Sequence, residues 1–110
     1  MSLRISTVSD RTEWDRFWEM HAPGALFQSW LWGDVVQRQS IPLTRFGLYD
    51  ESRLAGIFQV VTVRARRGTY LYIRHGPILA TQTLPYWRSV LTHLRSLAHQ
   101  ERAWFSRMSP

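Results

Sequence analysis

The chain contains neither cysteine nor lysine. The absence of cysteine among its 110 residues excludes disulfides, thiol nucleophiles and thiolate metal sites, and it fits a reducing cytoplasm. All fourteen basic residues are arginine, which excludes the nucleotide-binding loop that requires a lysine. No apolar run approaches the roughly 18 residues of a membrane span, and the first residues lack the apolar stretch of a signal peptide. We therefore expect a soluble, cytoplasmic protein.

Aromatic residues are abundant instead. Six Trp, five Phe and four Tyr supply the large buried areas that a chain of this length needs for one core, so we expect a single domain over residues 1–110. The net charge of +6 comes entirely from guanidinium groups, which bind phosphate in a bidentate geometry. The same balance is also typical of an unspecialised solvated surface.

The first half of the sequence predicts one strand and two helices. Alternating residues indicate a strand at 3–8. Asp10 begins a capping-box pattern, and the helix after it ends at Pro23-Gly24. Ser29 can cap a second helix to about residue 39, in which Gly33 indicates close packing or a ligand. The apolar faces of these helices are formed by Trp14, Phe17, Trp18, Trp32, Val35 and Val36.

The second half has the period of a sheet followed by a third helix. Three strand-like runs at 43–49, 54–64 and 69–74 are joined by short polar connections, which predicts an antiparallel meander. A helix begins after Thr83, and a last run at 103–108 is typical of a strand that crosses back onto the sheet. The expected fold class is α+β, with a mixed, mainly antiparallel sheet of about five strands and three helices.

No cofactor or metal site is predicted. The four histidines share no spacing typical of zinc, and no carboxylate lies at a motif distance from two of them. His93 and His99 are six residues apart on the predicted third helix, so we expect surface or packing roles for both.

Two constellations remain as candidate binding sites. One is a basic and aromatic hairpin end that would pair phosphate contacts with a stacking platform for nucleic acid, formed by Arg64, Arg66, Arg67, Tyr70 and Tyr72. The other is Arg74 at a strand end before the rigid Gly76-Pro77 turn, where a guanidinium can be held for an anionic ligand. Local physics favours two roles for Arg74 equally: it binds a ligand, or its side chain satisfies nearby backbone carbonyls.

Three segments together resemble the Fem family of peptidoglycan aminoacyltransferases. They are Phe27–Asp34, with the pattern Gln-Ser-x-x-Trp-Gly; Leu54–Val60; and Tyr70–Leu79, with the pattern Arg-x-Gly-Pro. The helical Tyr86-Trp87 pair and the closing residues 103–110 stand in the order of the family, so the resemblance spans nearly the whole chain.

This resemblance implies a fold related to N-acetyltransferases. It further implies transfer of an amino acid from aminoacyl-tRNA to the stem peptide of a cell-wall precursor that carries uridine diphosphate or lipid pyrophosphate. Residues 1–110 then correspond to the first subdomain, which contributes the precursor site, and no catalytic residue is assigned. Peripheral attachment at the inner membrane surface is compatible with such a substrate. The implied substrate-binding residues are Gln28, Trp32, Tyr70, Arg74, Gly76 and Pro77.

Family members are much longer, and their chemistry and tRNA contacts depend on later segments, so this chain is expected to be inactive alone. It is then either a fragment that lacks its C-terminal half or a diverged stand-alone remnant. Two other functions stay open. The first is an arginine-rich module for nucleic acid or another anionic polymer. The second is a dimeric interaction domain that completes its sheet by pairing the terminal strand with that of a second copy.

Overall fold

The computed structural model describes residues 2–109. It confirms the α+β class with three α-helices and a mainly antiparallel sheet, which has six strands rather than about five. The elements in chain order are β1 (Leu3–Thr7), α1 (Arg11–His21), a 3₁₀ turn (Leu26–Gln28), α2 (Trp30–Arg38), β2 (Leu43–Asp50), β3 (Arg53–Ala65), β4 (Gly68–Arg74), β5 (Ile78–Leu79), α3 (Leu84–Gln100) and β6 (Ser106–Ser109).

The sheet has the strand order β1-β2-β3-β4-β6, and the short β5 pairs with β3 beside this path. Strands β2, β3 and β4 form the predicted antiparallel meander, and β1 adds to it antiparallel to β2. Strand β6 runs parallel to β4, with α3 in the connection between them. Within residues 2–109, β6 has β4 as its single neighbour in the sheet.

Helices cover both faces of the sheet. Helix α3 packs on one face through the fully buried Val90 and Leu94, against Phe58, Val60 and the strands beside them. The other face carries α1, whose Trp14 is completely buried, and α2. This burial on both sides explains why the central strand β3 has seven consecutive buried residues.

Both predicted helix caps are present. The Asp10 carboxylate accepts hydrogen bonds from the backbone N–H groups of Thr12 and Glu13, at 2.9 and 3.3 Å. The Ser29 hydroxyl accepts from the N–H of Trp32 at 3.2 Å and donates to the carbonyl of Leu26. Each cap satisfies backbone donors that a helix start leaves unpaired.

The last strand begins later than the sequence pattern predicts. The predicted run began at Ala103, but β6 begins at Ser106, because residues 101–102 form the turn that ends α3 and Ala103 bonds back to that helix. The N–H of Ala103 donates to the carbonyl of Ala98 at 2.7 Å, and Arg102 has a left-handed φ of 56°. Residues 104 and 105 already bond to β4, because the Trp104 N–H donates to the Thr69 carbonyl at 2.9 Å and the Leu71 N–H donates to the Phe105 carbonyl at 3.0 Å. The chain therefore returns to the sheet just before β6 begins.

Candidate functional site

A groove between α2 and β4 contains two of the six predicted site residues. Strand β4 turns Leu71 and Ile73 into the core, so that Tyr72 and Arg74 lie on the opposite face, beside α2. The groove has a volume of about 290 Å³. We call it the α2–β4 groove, and its lining residues are Trp32, Val35, Val36, Gln39, Ile41, Val61, Tyr72 and Arg74.

The Arg74 guanidinium lies on an aromatic shelf at this groove. Its carbon stands 3.7 Å from the ring centre of Phe27 and 5.8 Å from that of Tyr72. The ring of Phe27 in turn packs edge-on against Trp32 at 5.2 Å. The ion pairs formed within residues 2–109 do not include Arg74. The half-buried charge is therefore oriented by aromatic rings and is not neutralised by a carboxylate of the described chain.

Gln28 lies behind the groove and does not line it. Its side chain is fully buried. Its Nε2 donates to the carbonyl oxygen of Arg74 at 2.6 Å, and its Oε1 accepts from the backbone N–H of Gln59 at 2.7 Å. Gly76 closes over the same amide, because a Cβ at that position would lie 2.9 Å from Gln28 Cδ and Nε2. Gln28 is thus placed to shape the end of β4.

The other three predicted residues lie outside the groove. Gly76 and Pro77, joined by a cis peptide bond, line a separate cleft of about 330 Å³ at the end of β4. Tyr70 is farther back along the strand, with its ring stacked on Phe105 at 5.0 Å and an angle of 5°. The structure therefore places Trp32 and Arg74 together, Gln28 behind them, and the remaining three residues at neighbouring surfaces.

Sequence reasoning missed a buried polar pair, Arg45 and Gln59, that sits next to the site. They are direct cross-strand partners in β2 and β3. Arg45 Nε donates to Gln59 Oε1 at 3.0 Å, and its Nη2 donates to the Trp30 carbonyl and to the Asp34 carboxylate, at 2.8 and 3.0 Å. The side-chain amide of Gln59 donates to the carbonyl of Ser29 at 2.9 Å.

The sequence did contain a signal for each member of this pair, because each is a polar residue at a strand position whose side chain faces the protein interior. Arg45 follows Leu43 at the period of two, and Gln59 stands between Ile57 and Val61. Burial lowers the pKa of the Arg45 guanidinium from its ordinary value, and the hydrogen bond and charge of Asp34 partly oppose that shift. The group still carries its charge at neutral pH, because arginine is not deprotonated in proteins.

Gly33 is explained by this pair. A Cβ on Gly33 would overlap Gln59 Oε1 and lie 2.6 Å from Arg45 Nη2. Of the two explanations that the sequence left open, close packing is the one observed.

A larger cleft than the α2–β4 groove lies between α1 and the β2–β3 hairpin. It measures about 700 Å³, and its lining includes Phe17, Met20 and Arg53 but none of the six predicted residues. The Glu13 carboxylate at its edge accepts a 3.0 Å hydrogen bond from the Tyr49 hydroxyl. Burial, together with this bond, raises the pKa of Tyr49 to about 12. The carboxylate of Glu13 is thus already engaged inside the protein.

The residues of the predicted nucleic-acid site divide into two groups. Arg64 pairs with Glu101 at 3.3 Å, whereas Arg66 and Arg67 are exposed at the β3–β4 hairpin end. Tyr70 and Tyr72 share one face of β4, with ring centres 6.4 Å apart.

His93 has the predicted packing role, with its ring 4.5 Å from that of Phe46 and 6.1 Å from that of Phe58. Burial lowers its pKa, and its Nε2 has no hydrogen-bond partner among residues 2–109. His99 is exposed.

No helix within residues 2–109 has both the length and the apolar character needed to cross a membrane.

Comparison with known proteins identifies both a family and a fold. The FemAB family matches residues 9–110, and no curated protein matches the sequence.

The crystal structure of FemX superposes with a TM-score of 0.77 at 19% identity, covering 94% of this chain and 26% of that one. The ribosomal-protein-alanine N-acetyltransferase from Brucella melitensis biovar Abortus 2308 gives 0.75 at 10%, covering 99% and 80%. An aminoglycoside acetyltransferase from an uncultured soil metagenomic sample gives 0.70 at 14%, covering 99% and 80%. These structural likenesses establish an N-acetyltransferase-like fold.

Proposed function

The chain belongs to the FemAB family, and from that premise we propose that it is the precursor-binding portion of a Fem-like peptidoglycan aminoacyltransferase. The complete reaction would move an amino acid from aminoacyl-tRNA to the stem peptide of a cell-wall precursor, in the cytoplasm or at the inner surface of the membrane. In this proposal the α2–β4 groove holds the part of the precursor that carries the pyrophosphate.

One observation carries the proposal: a guanidinium without a carboxylate partner in the described chain lies at an apolar, aromatic groove. Arg74 is held over Phe27 at 3.7 Å, so its fork of donors is oriented before a ligand arrives. A pyrophosphate accepts the parallel hydrogen bonds that such a fork offers, and these charge-assisted bonds are about twice as strong as neutral ones. An anion with an apolar or aromatic neighbour is the ligand class that this arrangement favours.

The walls of the groove suit the rest of such a ligand. Trp32 and Tyr72 present aromatic surface beside Val36 and Val61, and an aromatic ring can stack on a uracil base. Gly76 and Pro77 follow Arg74 at the end of β4, and Gly76 leaves room for the Gln28 amide that bonds the Arg74 carbonyl. Tyr70, which stacks on Phe105, extends the aromatic face along β4.

Catalysis is not assigned to residues 1–110. The chain spans about a quarter of the length of the FemX chain that it matches. The acceptor-activating chemistry and the tRNA contacts of the complete enzyme would come from segments other than these. We expect no amino-acid transfer from charged tRNA by this chain alone, and robust turnover in that assay would refute the assignment.

Calorimetric titration tests the binding function. The protein is titrated with a uridine diphosphate-linked precursor, with uridine diphosphate, with uridine and with the free stem peptide. Binding of the first two, weaker binding of uridine and none of the free peptide is the expected order. Equal affinity for uridine and uridine diphosphate would show that Arg74 does not bind the pyrophosphate.

A second candidate function, binding of single-stranded nucleic acid, is favoured by the stacked pair of Tyr70 and Phe105 beside the exposed Arg66 and Arg67. This function predicts an affinity for RNA or single-stranded DNA that falls steeply as salt rises. A salt-independent affinity, or no binding of either polymer, would remove it.

The edge of β6 supports a third possibility, because β4 is its single partner in the described sheet. A further strand from a longer chain or from a second copy can pair with such an edge. The solution mass decides between them for this chain: a dimer favours the second copy, and a monomer excludes it.

A further inference from the structure

We propose that Gln59, supported by Arg45, is a positioning residue for the Arg74 site. It fixes a three-residue segment, Phe27–Ser29, against β3. That segment contacts Arg74 at its main-chain carbonyl and at its guanidinium group. The functional part of this inference rests on the proposed function, because it takes Arg74 as a ligand contact.

The Phe27–Ser29 segment contacts both the main chain and the side chain of Arg74. At the main chain, Gln28 Nε2 donates to the Arg74 carbonyl at 2.6 Å. At the side chain, the Phe27 ring lies under the Arg74 guanidinium at 3.7 Å. Two adjacent residues of one turn thus determine where β4 ends and where its last guanidinium points. A displacement of this turn would move both contacts together.

Gln59 holds this segment against β3 through its side chain and its backbone. Its side-chain Nε2 donates to the carbonyl of Ser29 at 2.9 Å and approaches the carbonyl of Phe27 at 3.4 Å. Its backbone N–H donates to Gln28 Oε1 at 2.7 Å. The side chain of Gln59 thus contacts Phe27 and Ser29, and its backbone contacts Gln28. Gln59 itself is fully buried. Hydrogen bonds of a buried group are costly to leave unmade.

Arg45 fixes the orientation of the Gln59 side-chain amide. A side-chain amide can be turned over, which would exchange its donor and its acceptor. Arg45 prevents this, because its Nε donates to Gln59 Oε1 at 3.0 Å and so keeps the Nε2 directed to the segment. Arg45 is itself held by Asp34 and by the ring of Trp30, whose centre lies 3.7 Å from the guanidinium carbon. The polar pair thus connects the start of α2 to the end of β4.

The test uses two variants and a matched control. Gln59→Met keeps the length of the side chain and removes the hydrogen bonds that this side chain makes, while the backbone N–H at position 59 still donates to Gln28 Oε1. Gln59→Glu keeps an acceptor for Arg45 but has no donor for the Ser29 and Phe27 carbonyls. The control is Val60→Ala, at a position that is buried on the opposite face of the sheet against α3. It lowers stability by removing apolar contacts without touching the segment.

We expect both Gln59 variants to bind uridine diphosphate at least about tenfold more weakly than the unaltered protein, the size of effect produced when a charge-assisted hydrogen bond loses its geometry. Val60→Ala should lose stability with no change in affinity. Gln59→Glu separates the loss of affinity from the loss of stability. Compared with Val60→Ala, it should weaken binding even where the two variants lose a similar amount of stability. Equal affinities in all three variants would overturn the positioning role.

A measurement without ligand keeps this inference distinct from the proposed function. In two-dimensional ¹H–¹⁵N spectra, the Gln59 variants should shift the backbone amide signals of Phe27, Gln28 and His75, whereas Val60→Ala should leave these unchanged. If the unaltered protein binds no uridine diphosphate but these shifts occur, the proposed function fails and the positioning role stands. If the signals of His75 and the segment do not move, the positioning role fails whatever the ligand does.

Discussion

The Gln28 side-chain amide donates a 2.6 Å hydrogen bond to the Arg74 carbonyl, across 46 positions of sequence. This bond joins the two most specific segments of the family resemblance, Gln-Ser-x-x-Trp-Gly and Arg-x-Gly-Pro. Each segment has a local role, since Ser29 caps α2 and Gly76 leaves room for the Gln28 amide. Together they hold the turn before α2 against the end of β4.

A methyl group at Gly33 should disrupt the polar pair behind the site. Gly33→Ala places a Cβ into Gln59 Oε1 and 2.6 Å from Arg45 Nη2, and overpacking of this kind costs about 1–3 kcal/mol. Urea unfolding measures the difference. Gly24→Ala is the matched control, because a Cβ at Gly24 meets nothing within 4 Å, and its effect should stay within about 0.5 kcal/mol. Equal stability of the two variants would contradict the described packing.

Removal of the buried guanidinium should also destabilise the protein. Arg45→Met leaves Gln59 Oε1 and the Trp30 carbonyl without the Arg45 donor, and it leaves Asp34 with the longer ion pair to Arg11 at 3.9 Å. Unpaired buried acceptors cost about 1–3 kcal/mol each, with the smaller figure appropriate to the partly exposed Asp34. Thermal unfolding should therefore show a clear drop in the midpoint. Arg95→Met, at an exposed position of α3, should leave the midpoint nearly unchanged, and a similar drop in both variants would count against the account.

His93 predicts an acid-dependent loss of stability. Because burial lowers its pKa in the folded state, the unfolded chain binds the proton more readily, so the free energy of unfolding should fall as the pH drops below about 6.5, the ordinary histidine value. The slope from this group is at most about 1.4 kcal/mol per pH unit. His93→Leu removes the titrating group but keeps an apolar side chain between α3 and Phe46, so its stability should depend less on pH. Parallel curves for the two proteins between pH 7 and 5 would show that His93 does not contribute.

Gly76 should tolerate a side chain poorly, because a Cβ there would press on the Gln28 amide that bonds the Arg74 carbonyl. Gly76→Ala puts a Cβ 2.9 Å from the Gln28 amide and 3.0 Å from Ile73 Cγ2, so the bond from Gln28 to the Arg74 carbonyl should lengthen. We expect a loss of about 1–3 kcal/mol together with a changed amide signal for His75, which follows Arg74. Chemical denaturation measures the first and ¹⁵N-resolved spectra the second. An unchanged His75 signal would show that the turn accommodates the methyl group without moving β4.

Local signals in the sequence predicted much of the fold. Asp10 and Ser29 cap helices with their own side chains, so their roles depend on the next few residues alone. The period of two at 43–74 predicted the meander, because each strand repeats its own pattern of burial. The start of β6 was wrong at Ala103, because the end of α3 depends on the backbone bond from Ala103 to Ala98, which alternation does not encode.

The polar pair could not be predicted with the same reasoning. Arg45 and Gln59 become partners only through the register of β2 on β3, and their joint contact with the Phe27–Ser29 segment requires the tertiary position of the turn. The sequence showed each as a polar residue among apolar ones and gave no partner. Arg74 was a candidate from its strand-end position as well as from the family resemblance, and Trp32 came from the resemblance alone. The contact of Phe27 with Arg74 joins residues far apart in the sequence, so no local pattern indicates it.

If Arg74 binds an anionic ligand at the α2–β4 groove, the affinity for uridine diphosphate in a calorimetric titration depends on the Arg74 guanidinium. Arg74→Gln should raise the dissociation constant at least about tenfold, because one charge-assisted, bidentate contact is lost, whereas the exposed Arg95→Gln on the opposite face should bind like the unaltered protein. If Arg74→Gln and Arg95→Gln bind uridine diphosphate equally well, the groove is not the site and the account is contradicted.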